Sequence, residues 1–235
     1  MSVKTLKMDG KDLSAREGDS ILQVAEENNI FIPTLCHLDG LTDVGACRLC
    51  VVEIKGRRGF QPACSTIIEE GMEVVTNSET LQKYRRLILE LLFVEGNHFC
   101  AVCVSNRHCG LQELAVKLGM NYTRLAYRAP IREVDLSHER FGFDGNRCVL
   151  CTRCVRVCDE IEGAHTWDVR GRGIEASVIT DLDQPWGESL TCTSCGKCVQ
   201  VCPTGALFNK GKSAAEMVKQ ATFVTYLKSM REGKK

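Results

Sequence analysis

The sequence contains no apolar run that approaches the roughly 20 residues a membrane-spanning helix needs. Its first ten residues, M-S-V-K-T-L-K-M-D-G, lack the apolar core of a secretory signal. The chain also carries no net charge, because 30 lysine and arginine residues balance 30 aspartate and glutamate residues. Bulk charge therefore does not point to nucleic acid or to a membrane surface. Together these absences predict a cytoplasmic location.

Signatures of catalysis and of nucleotide binding are absent as well. No G-x-G-x-x-G follows a predicted strand, so no dinucleotide-binding fold is expected. The sequence offers no convincing pair of a nucleophile with a base. We therefore predict no catalytic residues and no residues that bind NAD or FMN.

Cysteine, in contrast, is abundant, at 15 of 235 residues. The number is odd and no export signal is present, which argues against a disulfide framework. In a reducing compartment, C-x2-C runs indicate thiolate metal ligands. Every cysteine lies in one of four groups along the chain, a distribution that scattered buried thiols would not produce.

An internal repeat organises the cysteines of the C-terminal half. C-V-L-C-T-R-C-V-R-V-C at 148–158 matches C-T-S-C-G-K-C-V-Q-V-C at 192–202, an offset of 44 residues. The second copy continues into a proline, which gives the C-x2-C-x2-C-x3-C-P run of bacterial ferredoxins. In that run three cysteines hold one [4Fe–4S] cluster and the fourth ligates the other cluster. Zinc is the alternative, but structural zinc favours two separated C-x2-C pairs for each metal. We predict two [4Fe–4S] clusters, one on Cys148, Cys151, Cys154 and Cys202, the other on Cys158, Cys192, Cys195 and Cys198.

A third group has the spacing C-x10-C-x2-C-x13-C. Plant-type [2Fe–2S] proteins use C-x4-C-x2-C with a distant fourth cysteine, so the central C-x2-C agrees while the flanking gaps differ. The small residues of the turn G-A-C-R-L-C would let backbone amides approach the cluster sulfurs. We predict a [2Fe–2S] cluster on Cys36, Cys47, Cys50 and Cys64.

The three remaining cysteines, Cys100, Cys103 and Cys109, are one ligand short of a third [4Fe–4S] cluster. Imidazole is an established iron–sulfur ligand, and His98 and His108 are the histidines close in sequence. His98 is one residue removed from Cys100, so both side chains can face the same way, whereas His108 adjoins Cys109 and would point away from it in an extended loop. We therefore predict His98 as the fourth ligand. A three-iron cluster and a water ligand stay open as alternatives.

The pattern of residues around these motifs predicts an α+β protein. The N-terminal segment favours a hairpin turning at Asp9-Gly10, then a short helix capped by Asp19 or Ser20, then further strands ending with M-E-V-V-T. This arrangement is typical of a β-grasp sheet. A capping box from Thr76 to Glu79 opens a predicted helix over 78–94.

Later segments complete the predicted architecture. A second helix is expected from Leu111, loops over 120–145, and an amphipathic helix from the capping box of Ser213 and Glu216. Four parts follow: a β-grasp [2Fe–2S] domain at 1–77, a helical histidine/cysteine segment at 78–138, a bacterial-type 2[4Fe–4S] ferredoxin domain at 139–212, and a docking helix at 213–235. Apolar side chains suggest that the last helix docks on the body of the protein or on a partner: Met217, Phe223, Val224, Tyr226 and Leu227.

With its four sites in this order, the chain resembles the N-terminal iron–sulfur region of the large electron-transfer subunit of complex I. It resembles still more closely the small diaphorase subunit of cytoplasmic NAD-reducing [NiFe] hydrogenases. It keeps two full ferredoxin runs where complex I typically keeps one cluster, and no molybdopterin-type domain follows Lys235. Complex I also places its histidine four residues before the first cysteine, where this chain has Gly96.

The resemblance implies an electron-relay role within a larger enzyme. Single electrons would pass through one [2Fe–2S] and three [4Fe–4S] clusters, between a flavoprotein with FMN and an NAD site and the small and large subunits of a [NiFe] hydrogenase. Alternatives are a subunit of an NAD-dependent formate dehydrogenase or complex I-like assembly, a free-standing multi-cluster ferredoxin, and a zinc-stabilised interaction protein.

Overall fold

The computed structural model describes residues 2–128 and 130–233. The chain forms two compact units, the first of Met1–His37 and Asp43–Leu89, the second of Leu38–Thr42 and Glu90–Lys235. Helices and strands occur in both, so the mixed α and β content predicted from the sequence is confirmed. Met1, Ala129, Lys234 and Lys235, which fall within the predicted domain ranges, lie outside the described residues.

A five-stranded sheet forms the first unit, with strand order β2-β1-β5-β3-β4. β1 pairs parallel with β5, and the other neighbours are antiparallel. The elements are β1 (Val3–Met8), β2 (Lys11–Arg16), α1 (Ile21–Glu27), β3 (Val51–Ile54), β4 (Gln61–Pro62) and β5 (Met72–Val75).

The predicted hairpin and the helix after it are both confirmed. Asp9 and Gly10 have φ of 49° and 80°, as a two-residue turn of the primed type requires. Ser20 caps α1 and forms a capping box with Gln23, so the hydroxyl and not the carboxylate of Asp19 is the cap. One face of α1 is buried with the alternate residues of the strands, in a core made of Leu6, Met8, Ile21, Leu22, Val24, Ala25, Val52, Ile54, Ile68 and Val74.

The predicted capping box of the next helix is wrong. α2 is Glu79–Val94. Its N-cap is Ser78, whose Oγ accepts a hydrogen bond from the Leu81 N–H at 3.1 Å. Thr76 is instead buried, and its N–H and hydroxyl both donate to the carboxylate of Asp9. Because the hairpin turn offers Thr76 a stronger acceptor, the next hydroxyl in the sequence becomes the cap.

The second unit is built from short elements: the C-terminal turns of α2, α3 (Gly110–Lys117), β6 (Val134–Asp135), β7 (Phe141–Asp144), α4 (Arg153–Arg156), β8 (Trp167–Arg170), β9 (Ser177–Thr180), α5 (Lys197–Val201), β10 (Leu207–Asn209) and α6 (Phe223–Arg231). The strands form one sheet of order β10-β7-β6 and one hairpin of β8 with β9. The expectation of loops throughout 120–145 is therefore wrong, because β6 and β7 lie there. Their pairing is with each other and with β10, more than 60 residues away, which no local pattern reveals.

The C-terminal segment also differs from expectation. Ser213 and Glu216 do form a capping box, but it closes only a 3-10 turn, Ala214–Glu216. The helix proper is the nine residues of α6. Met217 and Val224 are buried within this unit, so these two side chains are not part of a surface for a partner.

In the described residues, no helix is long and apolar enough to cross a membrane.

Replacing Ser78 tests the cap of α2. We expect Ser78→Ala to cost about 1 kcal/mol locally, the usual effect of losing a side-chain cap. Hydrogen exchange at Leu81 and its neighbours, measured by mass spectrometry, should accelerate roughly fivefold. Ser78→Asn, which retains a capping oxygen, is the matched control and should exchange at the original rate. Equal rates in both variants would contradict the assignment.

Candidate metal centres

The first candidate centre lies in the first unit, in the loop between α1 and β3 and at the end of β4. Its cysteines are buried: Cys36, Cys47, Cys50 and Cys64. They interact in two pairs. A hydrogen bond from Cys36 lowers the pKa of Cys47 to about 6, and a hydrogen bond from Cys64 lowers the pKa of Cys50. The loop can bring them together because Gly45 and Arg48 adopt left-handed conformations, with φ of 62° and 57°.

A buried arginine fixes this loop. Arg85, on α2, is 2% exposed and donates to the carbonyl of Leu49 at 3.1 Å and to that of Val51 at 2.7 Å. These two residues flank Cys50. The guanidinium thereby satisfies two buried carbonyl groups and places a positive charge beside the thiols.

The second candidate centre is a small cavity in the second unit. Its lining residues include His98, Cys100, Cys103 and Cys109. His108 is exposed and does not line the cavity. His98 and Cys100 were expected to face the same way along an extended segment. The chain does not have that conformation here, because it forms a 3-10 turn at Cys100–Val102.

The imidazole of His98 is neutral and has a lone pair that could bind a metal. Burial lowers the pKa of His98 to about 4, although one ring N–H donates to the carbonyl of Leu92. Its Nε2 is buried and has no hydrogen-bond partner among the described residues, so the bond to Leu92 is made by Nδ1. A ring fixed at Nδ1 with a free lone pair at Nε2 is the form in which histidine binds metals.

Two glycines allow this cavity to close. A Cβ at Gly96 would lie 2.5 Å from the His98 Nε2, so the imidazole occupies the space a side chain at that position would need. A Cβ at Gly205 would lie 2.6 Å from the Cys103 Sγ.

Arg147 adds a charge here: burial opposes its charged form, yet the thiol of Cys103 and Asp144 hold its pKa above the usual value.

The third candidate centre is a small cavity lined by Cys148, Cys151, Cys154 and Cys202. Burial raises the pKa of Cys148 to about 12 and that of Cys151 to about 11. Burial also acts to raise the pKa of Cys202, but Lys219 and nearby hydrogen bonds outweigh it and lower that pKa. The Lys219 ammonium donates to the carbonyls of Cys202, Thr204 and Leu207.

The fourth candidate centre is a small cavity lined by Cys158, Cys192, Cys195 and Cys198. Burial, followed by the neighbouring Cys195, raises the pKa of Cys198. One indole N–H also reaches these sulfurs, from Trp186 to Cys192 at 3.2 Å, and Trp167 lines the same cavity. Sequence analysis missed both tryptophans, since they lie between the two cysteine runs and belong to no motif.

The two cysteine runs have the same backbone conformation, which supports the predicted repeat. Leu150 and Ser194 occupy equivalent positions, have φ of 51° and 55°, and donate their N–H to Cys148 and Cys192 at 3.4 Å. Thr152 and Gly196 are likewise equivalent, with φ of 58° and 72°. Left-handed residues at these points bend each run around its cavity.

The donor chemistry suits iron–sulfur clusters. Burial, together with the thiols of Cys151 and Cys148, raises the pKa of Cys154 well above its usual value, so the four thiols cannot all ionise unless cations compensate them. Bound iron would supply that compensation. His98 lines the same cavity as three thiols, and its unpartnered Nε2 can provide the non-cysteine donor. The residues present therefore fit the clusters that their spacing predicts.

Three family models match successive parts of the chain. Residues 3–79 match a 2Fe-2S iron-sulfur cluster binding domain. Residues 85–124 match the NADH-ubiquinone oxidoreductase-G iron-sulfur binding region, and residues 141–208 match the ferredoxin-like domain of NADH-quinone oxidoreductase subunit 3. The chain is thus an iron–sulfur protein with a 2Fe–2S domain followed by 4Fe–4S regions.

Whole-chain relatives narrow the family. The chain is 33% identical over 211 residues to the NAD-reducing hydrogenase HoxS subunit gamma of Cupriavidus necator, covering 89% of this chain and 88% of that one. A chain in the crystal structure of NAD+-reducing [NiFe]-hydrogenase in the H2-reduced state matches with a TM-score of 0.84 and 36% identity, covering 89% and 88%. The protein therefore belongs to the family of iron–sulfur subunits that includes HoxS gamma.

A longer relative contains the same region. The NADPH-Fe(3+) oxidoreductase subunit alpha of Geobacter sulfurreducens is 38% identical over 206 residues, which is 88% of this chain and 24% of that protein. The chain spans about a quarter of that relative's length.

The two local histidines provide a matched test of the second centre. We expect His98→Ala to abolish the nitrogen coupling in the pulsed electron paramagnetic resonance spectrum of the reduced protein, because His98 lines the cavity and its buried Nε2 has no hydrogen-bond partner among the described residues. His108→Ala, at an exposed position, should leave the coupling intact. The opposite result would assign the ligand to His108.

Proposed function

We propose that the protein is the electron-transfer subunit of an NAD-reducing hydrogenase. The observation that carries this proposal is the convergence of sixteen donors into four separate sets, three of them lining small cavities. When bound, the clusters would supply one-electron transfer between a flavin/NAD(H) subunit and a [NiFe] hydrogenase module. The family relationship to HoxS gamma supports the same role.

We further propose one [2Fe–2S] and three [4Fe–4S] clusters. The paired thiols support a two-iron centre in which Cys36 and Cys47 hold one iron and Cys50 and Cys64 the other. The sheet with a helix across it supports a β-grasp ferredoxin fold for this unit. Cys202, from the second cysteine run, lines the cavity of the first run, and Cys158, from the first run, lines the cavity of the second. This exchange supports a 2[4Fe–4S] ferredoxin arrangement at the C-terminus.

The subunit itself would have no catalytic residues. Its described cavities at the candidate centres are lined by metal donors, apolar groups and a few polar side chains. Hydride transfer moves two electrons together, whereas iron–sulfur centres accept one at a time, so a flavoprotein partner with FMN and an NAD site is required. The hydrogenase small and large subunits are the partners at the other end.

Formate dehydrogenase and complex I-like assemblies are the second candidate setting. The match to the NADH-ubiquinone oxidoreductase-G region over 85–124 favours them. The high coverage of both the chain and HoxS gamma favours the hydrogenase. Co-purification from the native host, with identification of the bound subunits, discriminates between the two settings.

A cytoplasmic location agrees with fifteen cysteines that are all unbonded thiols.

Metal analysis tests the cofactor proposal. Anaerobically reconstituted protein should contain about 14 irons and about 14 acid-labile sulfides per chain. A plateau near ten would remove one four-iron cluster. Zinc without labile sulfide would refute the iron–sulfur proposal as a whole.

Activity measurements test the relay. The isolated, reconstituted chain should neither oxidise NADH nor split hydrogen. Reduction of its clusters by NADH should begin when the flavoprotein subunit is added, and the flavoprotein with cluster-free chain is the control. Rapid NADH oxidation by the isolated chain would contradict the proposal.

A further inference from the structure

Both tryptophans of the chain lie beside one candidate centre. Trp167 begins β8 and Trp186 lies in a 3-10 turn, and their side chains are 4% and 1% exposed. Their rings meet edge to face, with centroids 4.8 Å apart. Phe141 stacks on Trp186 at 5.5 Å, and Phe143 meets the edge of Trp167 at 5.5 Å. The two indoles are therefore packed in an aromatic cluster with little freedom to rotate.

The two indoles relate differently to the sulfurs of this centre. The Trp186 Nε1–H donates to the Cys192 Sγ at 3.2 Å, while Trp167 lines the same cavity and packs against Trp186. An indole N–H is a donor only. The bond to Cys192 therefore strengthens as that sulfur gains negative charge.

The backbone holds Trp186 in place. Its own N–H donates to the Asp135 Oδ2 at 2.6 Å, and the next N–H, of Gly187, donates to the Ser137 Oγ at 2.7 Å. A Cβ at Gly187 would lie 2.5 Å from the carbonyl group of Ser137, so only glycine permits this approach. Trp167 is fixed by its pairing with Thr180 across the β8–β9 hairpin.

The other cysteine run is compensated differently. Arg153 and Arg156 lie close enough to Cys151, and Lys219 close enough to Cys202, to stabilise their thiolates. Since the chain has only two tryptophans, that centre has no indole donor. At the centre beside the tryptophans, the lining cation Lys197 is paired with Glu162, and Cys192 receives a neutral N–H donor. Two similar cysteine runs thus differ in the groups that offset their negative charge.

We propose that Trp186 raises the reduction potential of the [4Fe–4S] cluster held by Cys158, Cys192, Cys195 and Cys198. The inference rests on the proposed function, because it requires that cluster. Reduction adds one electron and no proton, so the sulfurs become more negative and the bond from Trp186 to Cys192 favours the reduced state. Trp186 acts through a ligand and is a positioning residue, not a catalytic one.

A redox titration followed by electron paramagnetic resonance tests this proposal on the full reconstituted chain. Dithionite supplies the electrons, and the signal is assigned as the one missing from Cys195→Ala. Trp186→Phe keeps an aromatic ring but loses the N–H. It should shift the midpoint to a more negative value, with the reduced-to-oxidised ratio at a fixed solution potential falling roughly three- to tenfold.

An isosteric substitution separates the hydrogen bond from packing. Replacing tryptophan throughout the chain with 3-benzothienylalanine changes only these two rings and exchanges each N–H for sulfur. 5-Fluorotryptophan keeps the N–H and is the matched control. The benzothienyl protein should show the full negative shift and lose the exchangeable proton coupling of the Trp186 indole, while the fluorinated protein should show neither change.

Two results would overturn the proposal, and they are distinguishable. An unchanged midpoint in the benzothienyl protein, with the cluster signal present, would refute the tuning role alone. Absence of that signal from the unmodified, iron-loaded protein would refute the cluster assignment, and the tuning role with it.

Discussion

Cysteine sulfurs that converge on one buried space repel one another as soon as they ionise, and each of the four donor sets faces that repulsion. The chain brings the sulfurs together with left-handed turns, several of them at residues other than glycine. Thr152 is the most costly of these, because a β-branched residue at φ of 58° is strained by about 1–3 kcal/mol. Such strain is supported only where the surrounding structure holds it in place, as the buried core around α4 and α5 does here.

The four sets balance their negative charge by different means. Arg85 lies beside the first set and Arg147 contacts the second. Several cations lie around the third set, and the Trp186 indole donates to the fourth. Hydrogen bonds and nearby charges both alter the potentials of iron–sulfur centres. Sites with similar ligands can therefore differ in potential along one polypeptide.

The sequence reveals donors better than it reveals their surroundings. Short spacings such as C-x2-C-x2-C fix which cysteines share a loop, and the structure brings each predicted set together, including His98. Local sequence signals failed where a residue interacts with a distant part of the chain. Thr76 donates to Asp9 and does not cap a helix, and β7 pairs with β10. The helix expected from Ser213 stops after one turn, because Met217 is buried in the core and Lys219 donates to three carbonyls. The Trp186 donor was missed for the same reason, since only the fold brings it to the Cys192 sulfur.

Cys195 is the one exposed residue among the fifteen cysteines, all of which the structure describes. A cluster bound there would have one ligand open to solvent, while Cys158 and Cys198 are buried and Cys192 is partly buried. Exposure of a thiolate favours its oxidation. A neighbouring protein that covered Cys195 would therefore shield the most accessible ligand of that centre from oxidants.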